Sequence, residues 1–240
     1  MKPLYYLPLD PVFFSILVGA LAFLFLLLQF RALRYAYMSV GLSSGAAMFI
    51  LLGSLIGSYF NIPLFELPEQ EIVSNQVISY YGVHYVVPVA VDWPGTVVAI
   101  NVGGALVPGL VSIYLLFKNR LWGRGLAAIV CVAAITHRLA EPVPGLGIAL
   151  PVFVPAVVTA TTALLLSWRL AAPLAYIGGS IGTLIGADLL NLGRIQGLGA
   201  PVASIGGAGT FDGIFLTGVL AVLLASLTTA FQRRRSGART

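Results

Sequence analysis

The 240 residues include 13 Lys and Arg, 8 Asp and Glu and 2 His, so 9% of the chain is charged and the formal net charge is +5. Hydrophobic residues make up 59% of the chain, cysteine occurs once, and the mean hydropathy is +0.98. Soluble domains hold about 25% charged residues, so this composition excludes a disordered chain, a collagen, a disulfide-stapled scaffold and an ordinary globular enzyme, and leaves a polytopic membrane protein.

A bilayer core takes about 20 apolar residues per helix, and the uncharged runs predict seven spans in an all-α membrane domain covering residues 1–240. The first, residues 11–30, is followed by Arg31 and Arg34, and the second covers residues 38–60. Residues 12–30 resemble a secretory signal with Ala20-Leu21-Ala22 as a nominal cleavage site, but the apolar run continues beyond it, so an uncleaved first helix is expected. Residues 61–94 form an extracytoplasmic loop in which residues 72–91, rich in Val, Ile and Tyr, predict a small β-hairpin turning near Gly82. The third span, residues 95–117, stops at Lys118, Arg120 and Arg124; the fourth, residues 125–137, is short. The fifth, residues 148–168, ends at Arg169, and the sixth covers residues 172–192. The seventh, residues 211–231, runs into a basic cytoplasmic tail, residues 232–240.

With the N-terminus outside and the C-terminus inside, Arg31, Arg34, Lys118, Arg120, Arg124, Arg169, Arg233, Arg234, Arg235 and Arg239 face inward and only Lys2, Arg138 and Arg194 face outward. That asymmetry follows the positive-inside rule, so the basic balance reports orientation in a prokaryotic cell membrane and no nucleic-acid partner is expected. The expected partner is the lipid bilayer, no cofactor or metal is implied, and the oligomeric state does not follow from the residues.

An ionisable group within a bundle marks a candidate site because it costs about 2.5 kcal/mol or more at the bilayer centre. Asp188, four residues before the end of the sixth span, and Asp212, at the start of the seventh, satisfy that condition at similar depth. Asp212 also suits a helix N-terminus, where a carboxylate satisfies free N–H groups. Asp188 lies near a helix C-terminus, which disfavours an anion, so a shared proton, a cation or Arg194 must stabilise it. Two carboxyls within hydrogen-bond reach cannot both ionise easily, and such a pair performs acid/base hydrolysis: one activates water while the other protonates a carbonyl. The glycines at 178, 182 and 186 form a stripe that lets a neighbouring helix approach closely, and the seven glycines from Gly193 to Gly213 inclusive suit a re-entrant segment.

Residues Ile185-Gly186-Ala187-Asp188-Leu189-Leu190-Asn191-Leu192 and Gly206-Gly207-Ala208-Gly209-Thr210-Phe211-Asp212-Gly213, with Asn101-Val102-Gly103-Gly104 and Glu141-Pro142-Val143-Pro144-Gly145, resemble the signature of an uncharacterised prokaryotic multi-spanning membrane family of unknown function, over about residues 90–230. More distantly, Gly209-Thr210-Phe211-Asp212 is similar to the Gly-x-Gly-Asp segment of presenilin-type and prepilin-peptidase-type intramembrane aspartyl proteases. That resemblance implies a dyad of Asp188 and Asp212, with Gly209, Thr210, Gly213 and Asn191 around it and a membrane-embedded peptide as substrate. Phe211 stands where those proteases carry glycine, and no Pro-Ala-Leu segment follows the seventh run.

The rival reading is a proton- or cation-coupled carrier of small solutes, with breaks at Asn101 and Pro108, at Pro151 and Pro155, and before the seventh span. Asn101, Asp92 and Glu141 are then further polar site residues. A non-catalytic structural membrane protein remains a third reading. A Ser180–His137 dyad is disfavoured because Ser180 lies about 12 Å deeper than Asp188 at 1.5 Å per residue.

Overall fold

The computed structural model describes residues 11–68, 70–80, 83–93, 95–143, 147–151, 153–195, 200–207 and 213–237. The protein is mostly helical. Among the described residues two helices, Val102–Asn119 and Ala171–Arg194, are long and apolar enough to cross a membrane; a third span results if Leu28–Ser39 and Ser44–Gly57, bent by 118°, count as one.

Helix α1 (Pro11–Ser39) continues nine residues past the predicted end of the first span, through Arg31 and Arg34. The chain turns at Gly41, whose φ is +92°, and α2 (Ser44–Gly57) begins under a Ser43 cap that accepts the Ala46 N–H at 3.2 Å. The predicted second span is thus a 14-residue helix.

Among the described residues the helices are joined by three small sheets, of which the sequence led to the β-hairpin alone. Strand β1 (Asn61–Leu67) pairs antiparallel with β4 (Thr96–Asn101), and β4 pairs in parallel with β7 (Val202–Ile205). Strands β2 (Gln70–Tyr80) and β3 (Val83–Trp93) form the expected hairpin, with Tyr80 opposite Val83. Strands β5 (Glu141–Val143) and β6 (Gly147–Ala149) make a third, short pair. The third predicted span fails at its start because Thr96-Val97-Val98-Ala99-Ile100 is a β-branched apolar run, which hydropathy alone does not separate from helix. Pro63 is tolerated in β1 because that strand is a sheet edge and its register shifts between Pro63 and Phe65.

After β4 the backbone winds through a wide π turn (Val102–Leu106) directly into α3 (Val107–Asn119), with Pro108 its second residue. Helix α4 (Trp122–Leu139) follows; it has 18 residues, with Arg124 near one end and Arg138 near the other. The predicted fifth span shortens to α5 (Phe153–Leu166), as its first residues enter β6. Helix α6 (Ala171–Ile177) continues through π turns at Gly178–Gly182 and Leu184–Asp188 and a 3-10 turn at Leu189–Arg194. Helix α7 spans Gly213–Gly237, so the helix extends into most of the predicted tail.

Two cores result. Tyr37 of α1, Leu51 of α2, Leu115 of α3, Ala163 of α5, Leu174 and Ile177 of α6 and Val222 of α7 are packed out of solvent in the bundle. Val98, Ala105, Ile195, Ala203 and Ile205 form a second cluster beneath the three-stranded sheet. The glycine stripe on α6 seats α4 directly: a Cβ on Gly182 would lie 2.9 Å from Val132 Cβ, and one on Gly186 would lie 2.4 Å from Ala133 O. Gly186→Leu is therefore expected to cost about 1–3 kcal/mol by overpacking, seen as a lower Tm in detergent. Gly53→Ala in α2, whose new methyl meets nothing within 4 Å, should leave Tm unchanged or raise it.

Candidate functional site

The site is built where the broken end of α6 meets the three-stranded sheet. Each π turn inserts one extra residue into the helix and leaves backbone carbonyls without their usual donors. Asn191 supplies donors: its buried Nδ2 donates to Gly186 O and to Ala187 O, both at 2.9 Å. Its Oδ1 accepts from Arg194 at 3.2 Å. Asn191 therefore braces the turn that carries Asp188.

Asp188 is half-buried, and its Oδ2 accepts the Gly206 N–H at 2.7 Å. Arg194, exposed and bonded to Asn191, makes no hydrogen bond to Asp188. Gly206 follows β7 directly and has φ +91°, a region that L side chains rarely enter; a Cβ there would also lie 2.6 Å from Ala105 N. The Asp188 carboxyl is thus held by backbone from the glycine-rich segment that the sequence singles out.

Asn101 caps the π turn before α3. Its Oδ1 accepts the Gly104 N–H at 2.7 Å, while Nδ2 donates to Ser58 O at 2.8 Å and Asn61 Oδ1 at 3.1 Å. Ser204 of β7 donates to the same Asn61 oxygen at 2.6 Å. This network joins α2, β1, β4 and β7 and commits the buried Asn101 amide to holding them together. Glu141 is exposed at the start of β5, and Asp92 stands opposite Glu71 in the β2–β3 register. Neither is brought to Asp188 by a described contact.

Asp212, Gly209 and Thr210 lie outside the described residues, and Gly213 is the first residue of α7. The course of α7 is nevertheless fixed: a Cβ on Gly179 of α6 would lie 2.9 Å from Gly218 Cα, and Ala171 of α6 shares a cavity wall with Ser226 of α7. The two helices run antiparallel, and α7 begins at the end of the bundle where Asp188 sits.

Histidine His137 belongs to the same level. Thr136 Oγ1 would be 2.0 Å from a Cβ on Gly186, and α4 runs parallel to α6 along the glycine stripe, so His137 and Asp188 both lie just beyond that contact. The His137 Nδ1 is buried without a partner among the described residues. The signal for this in the sequence is the match of small residues at 128, 133 and 136 to the glycines at 178, 182 and 186. Ser180, eight residues before Asp188, is buried against Gly218, which keeps it about 12 Å from that level. Among the described residues, no group of three His, Cys, Asp or Glu side chains gathers as a metal site.

The architecture is that of a mostly helical protein with helices fit to cross a membrane and a half-buried carboxyl at a helix break. A family model described as a protein of unknown function, DUF1614, matches residues 55–224, and the chain belongs to that family. No curated protein and no solved structure matches the chain, and kinship with the Gly-x-Gly-Asp proteases finds no support in these comparisons.

Replacing Asn191 with Leu leaves the Gly186 and Ala187 carbonyls without their donor and is expected to cost about 1–3 kcal/mol. Arg194→Gln should cost less than about 1 kcal/mol, as an exposed contact. Unfolding in detergent followed by circular dichroism distinguishes the two.

Proposed function

We propose that this protein is an intramembrane hydrolase of the aspartyl type, in which Asp188 and Asp212 act together on a peptide segment within the bilayer. The observation that carries the reading is the Asp188 hydrogen bond to Gly206, six residues before Asp212, at 2.7 Å. It ties the carboxyl to the segment that leads to the second aspartate and leaves Asp188 Oδ1 without a partner among the described residues. The alternative stabiliser, Arg194, is engaged by Asn191.

In the reaction one carboxylate takes a proton from water, whose oxygen attacks the scissile carbonyl, and the protonated partner gives its proton to the carbonyl oxygen. Collapse of the tetrahedral intermediate breaks the C–N bond: the leaving amine takes the proton held by the first carboxyl, and the second carboxylate takes back a proton from one hydroxyl of the intermediate as it becomes the product acid. The bond from Gly206 fixes the rotamer of Asp188 during these transfers. His137 stands at the same level, with its buried Nδ1 without a partner among the described residues. Seven spans with the N-terminus outside and the C-terminus inside would set this site in the outer half of the membrane of a prokaryotic cell.

A second reading, a proton- or cation-coupled carrier, draws support from the π turns at Val102–Leu106, Gly178–Gly182 and Leu184–Asp188, since discontinuous helices are how carriers build ion sites. One experiment separates the two. The purified protein in liposomes is expected to cleave a helical transmembrane peptide, and Asp188→Asn and Asp212→Asn each to lower the rate by at least about 100-fold. Asparagine still accepts the Gly206 N–H, so an unchanged Tm is expected for Asp188→Asn. Wild-type cleavage in either variant overturns the hydrolase, and uptake driven by a proton gradient, lost in both variants without any cleavage, establishes the carrier.

A further inference from the structure

From Asp188, helix α6 carries a row of hydroxyls toward the other end of the bundle. Tyr176, Ser180 and Thr183 follow one another at steps of four and three residues, the spacing of one helix face. The π turn Leu184–Asp188 then changes the step: its bonds join residues five apart, so the residue brought round above Thr183 is Asp188, five further on. All three hydroxyl residues are at most 3% exposed. Neighbouring helices add to the row. A Cβ on Gly218 of α7 would lie 2.9 Å from Ser180 Oγ, which places the buried Thr217 beside it, and a Cβ on Gly179 would lie 3.3 Å from Thr159 Cγ2 of α5.

The row ends at a cavity. A space of about 940 Å³ lies between α1, α3, α7 and the α5–α6 connection, at the end of the bundle that carries Lys118, Arg120 and Arg169. Val40 and Pro173 line it, and Tyr37 and Tyr176 stand three residues further into the bundle. The two rings are 5.7 Å apart, and the Tyr176 hydroxyl lies beside those of Tyr37 and Ser180.

The bonding of these hydroxyls sets them apart. A Ser or Thr within a helix can satisfy itself on the carbonyl four residues back, as Thr136 does on Val132 O at 2.9 Å and Thr161 on Val157 O at 2.8 Å. The hydroxyls of Tyr37, Tyr176, Thr159, Thr183 and Thr217 are buried and have no hydrogen-bond partner among the described residues. Unbonded buried hydroxyls are rare in native interiors, and polar groups aligned inside a membrane bundle mark a conduction path. The row carries no charge before Asp188, and α6 and α7 meet backbone to backbone at Gly179 and Gly218, which leaves no bore at that crossing for a hydrated ion or a solute. A proton needs only donors and acceptors in sequence.

We propose that this row conducts protons between the cavity at the basic end of the bundle and Asp188. Consecutive hydroxyls on α6 stand about 4.5–6 Å apart along the axis, and one water molecule between two of them bridges that distance with O–H···O bonds of about 2.8 Å. Each oxygen passes a proton forward and receives one from behind, so no tyrosine, serine or threonine keeps a charge and Asp188 alone is left protonated. Asp188 is half-buried, so the proton leaves it on the opposite side. Such a path rests on Asp188 as a working carboxyl, as both readings above require, and supplies it from the basic end, the cytoplasmic one by the positive-inside rule.

The test is proton flux into liposomes that hold the full chain, with a pH-sensitive dye inside and a potassium gradient set through valinomycin. No peptide or solute is present, so failure of flux and failure of cleavage are separate results. Flux above that of protein-free liposomes is expected, and Asp188→Asn should abolish it. Tyr176→Phe and Thr183→Val each remove one hydroxyl and should lower it at least about tenfold, as loss of a proton-transfer group does. Thr161→Val, on the exposed face of α5, should leave it unchanged. Tyr176→Phe should also keep or raise Tm, because its hydroxyl has no partner to lose, and Ser180→Ala takes the place of Thr183→Val if that variant fails to fold. Flux no greater than in protein-free liposomes, wild-type flux in Tyr176→Phe and Thr183→Val, or an equal loss in Thr161→Val overturns the proposal.

Discussion

Everything at the Asp188 end depends on backbone meeting backbone along α6. Glycine at 182 and 186 removes the side chains that would hold α4 away, and the surface of α4 fills the space with Val132, Ala133 and Thr136. On the opposite side Gly179 and Gly218 bring α7 equally close. In lipid there is no hydrophobic drive between helices, so close packing of this kind has to hold the bundle together. It also determines what α6 can carry: with neighbours on both sides, the helix widens into π turns instead of ending, and its freed carbonyls are taken up by Asn191.

That arrangement explains how a carboxyl sits near the end of a helix whose dipole opposes it. Asp188 is stabilised by a backbone N–H from another part of the chain, which itself requires the left-handed backbone at Gly206. The Gly206 position is in turn held by the β4–β7 pairing and by the Asn101, Asn61 and Ser204 network. The small sheet is therefore the support of the site.

Much of this was legible in the residues, and the failures have one cause. The scarcity of charge, the hairpin of the β2 and β3 strands and the close-packing stripe at 178, 182 and 186 all follow from side-chain type and spacing. The ends of the spans did not, because apolar runs at 95–101 and 148–152 read equally well as helix and as strand until a partner strand decides between them. Strand β7 was hidden for the same reason: four residues, Val202-Ala203-Ser204-Ile205, carry no periodicity, and only pairing with β4 fixes their conformation. Asn101 looked like a polar site residue, whereas its amide is spent on the turn that starts α3. The level of His137 was not legible, since it depends on the parallel course of α4 and α6.

The parallel pairing of β4 with β7 also constrains the order of events in biosynthesis. Thr96 of β4 donates from its hydroxyl to Ala200 O, 104 residues further along the chain. At about 5–20 residues per second, the ribosome needs about 5–20 s to make the strand that completes the sheet. During that interval β4 has only β1 beside it, and its other edge is open. The segment that closes the sheet and the residue that holds Asp188 arrive together, so the chain assembles its site only after nearly all of its helices have been made.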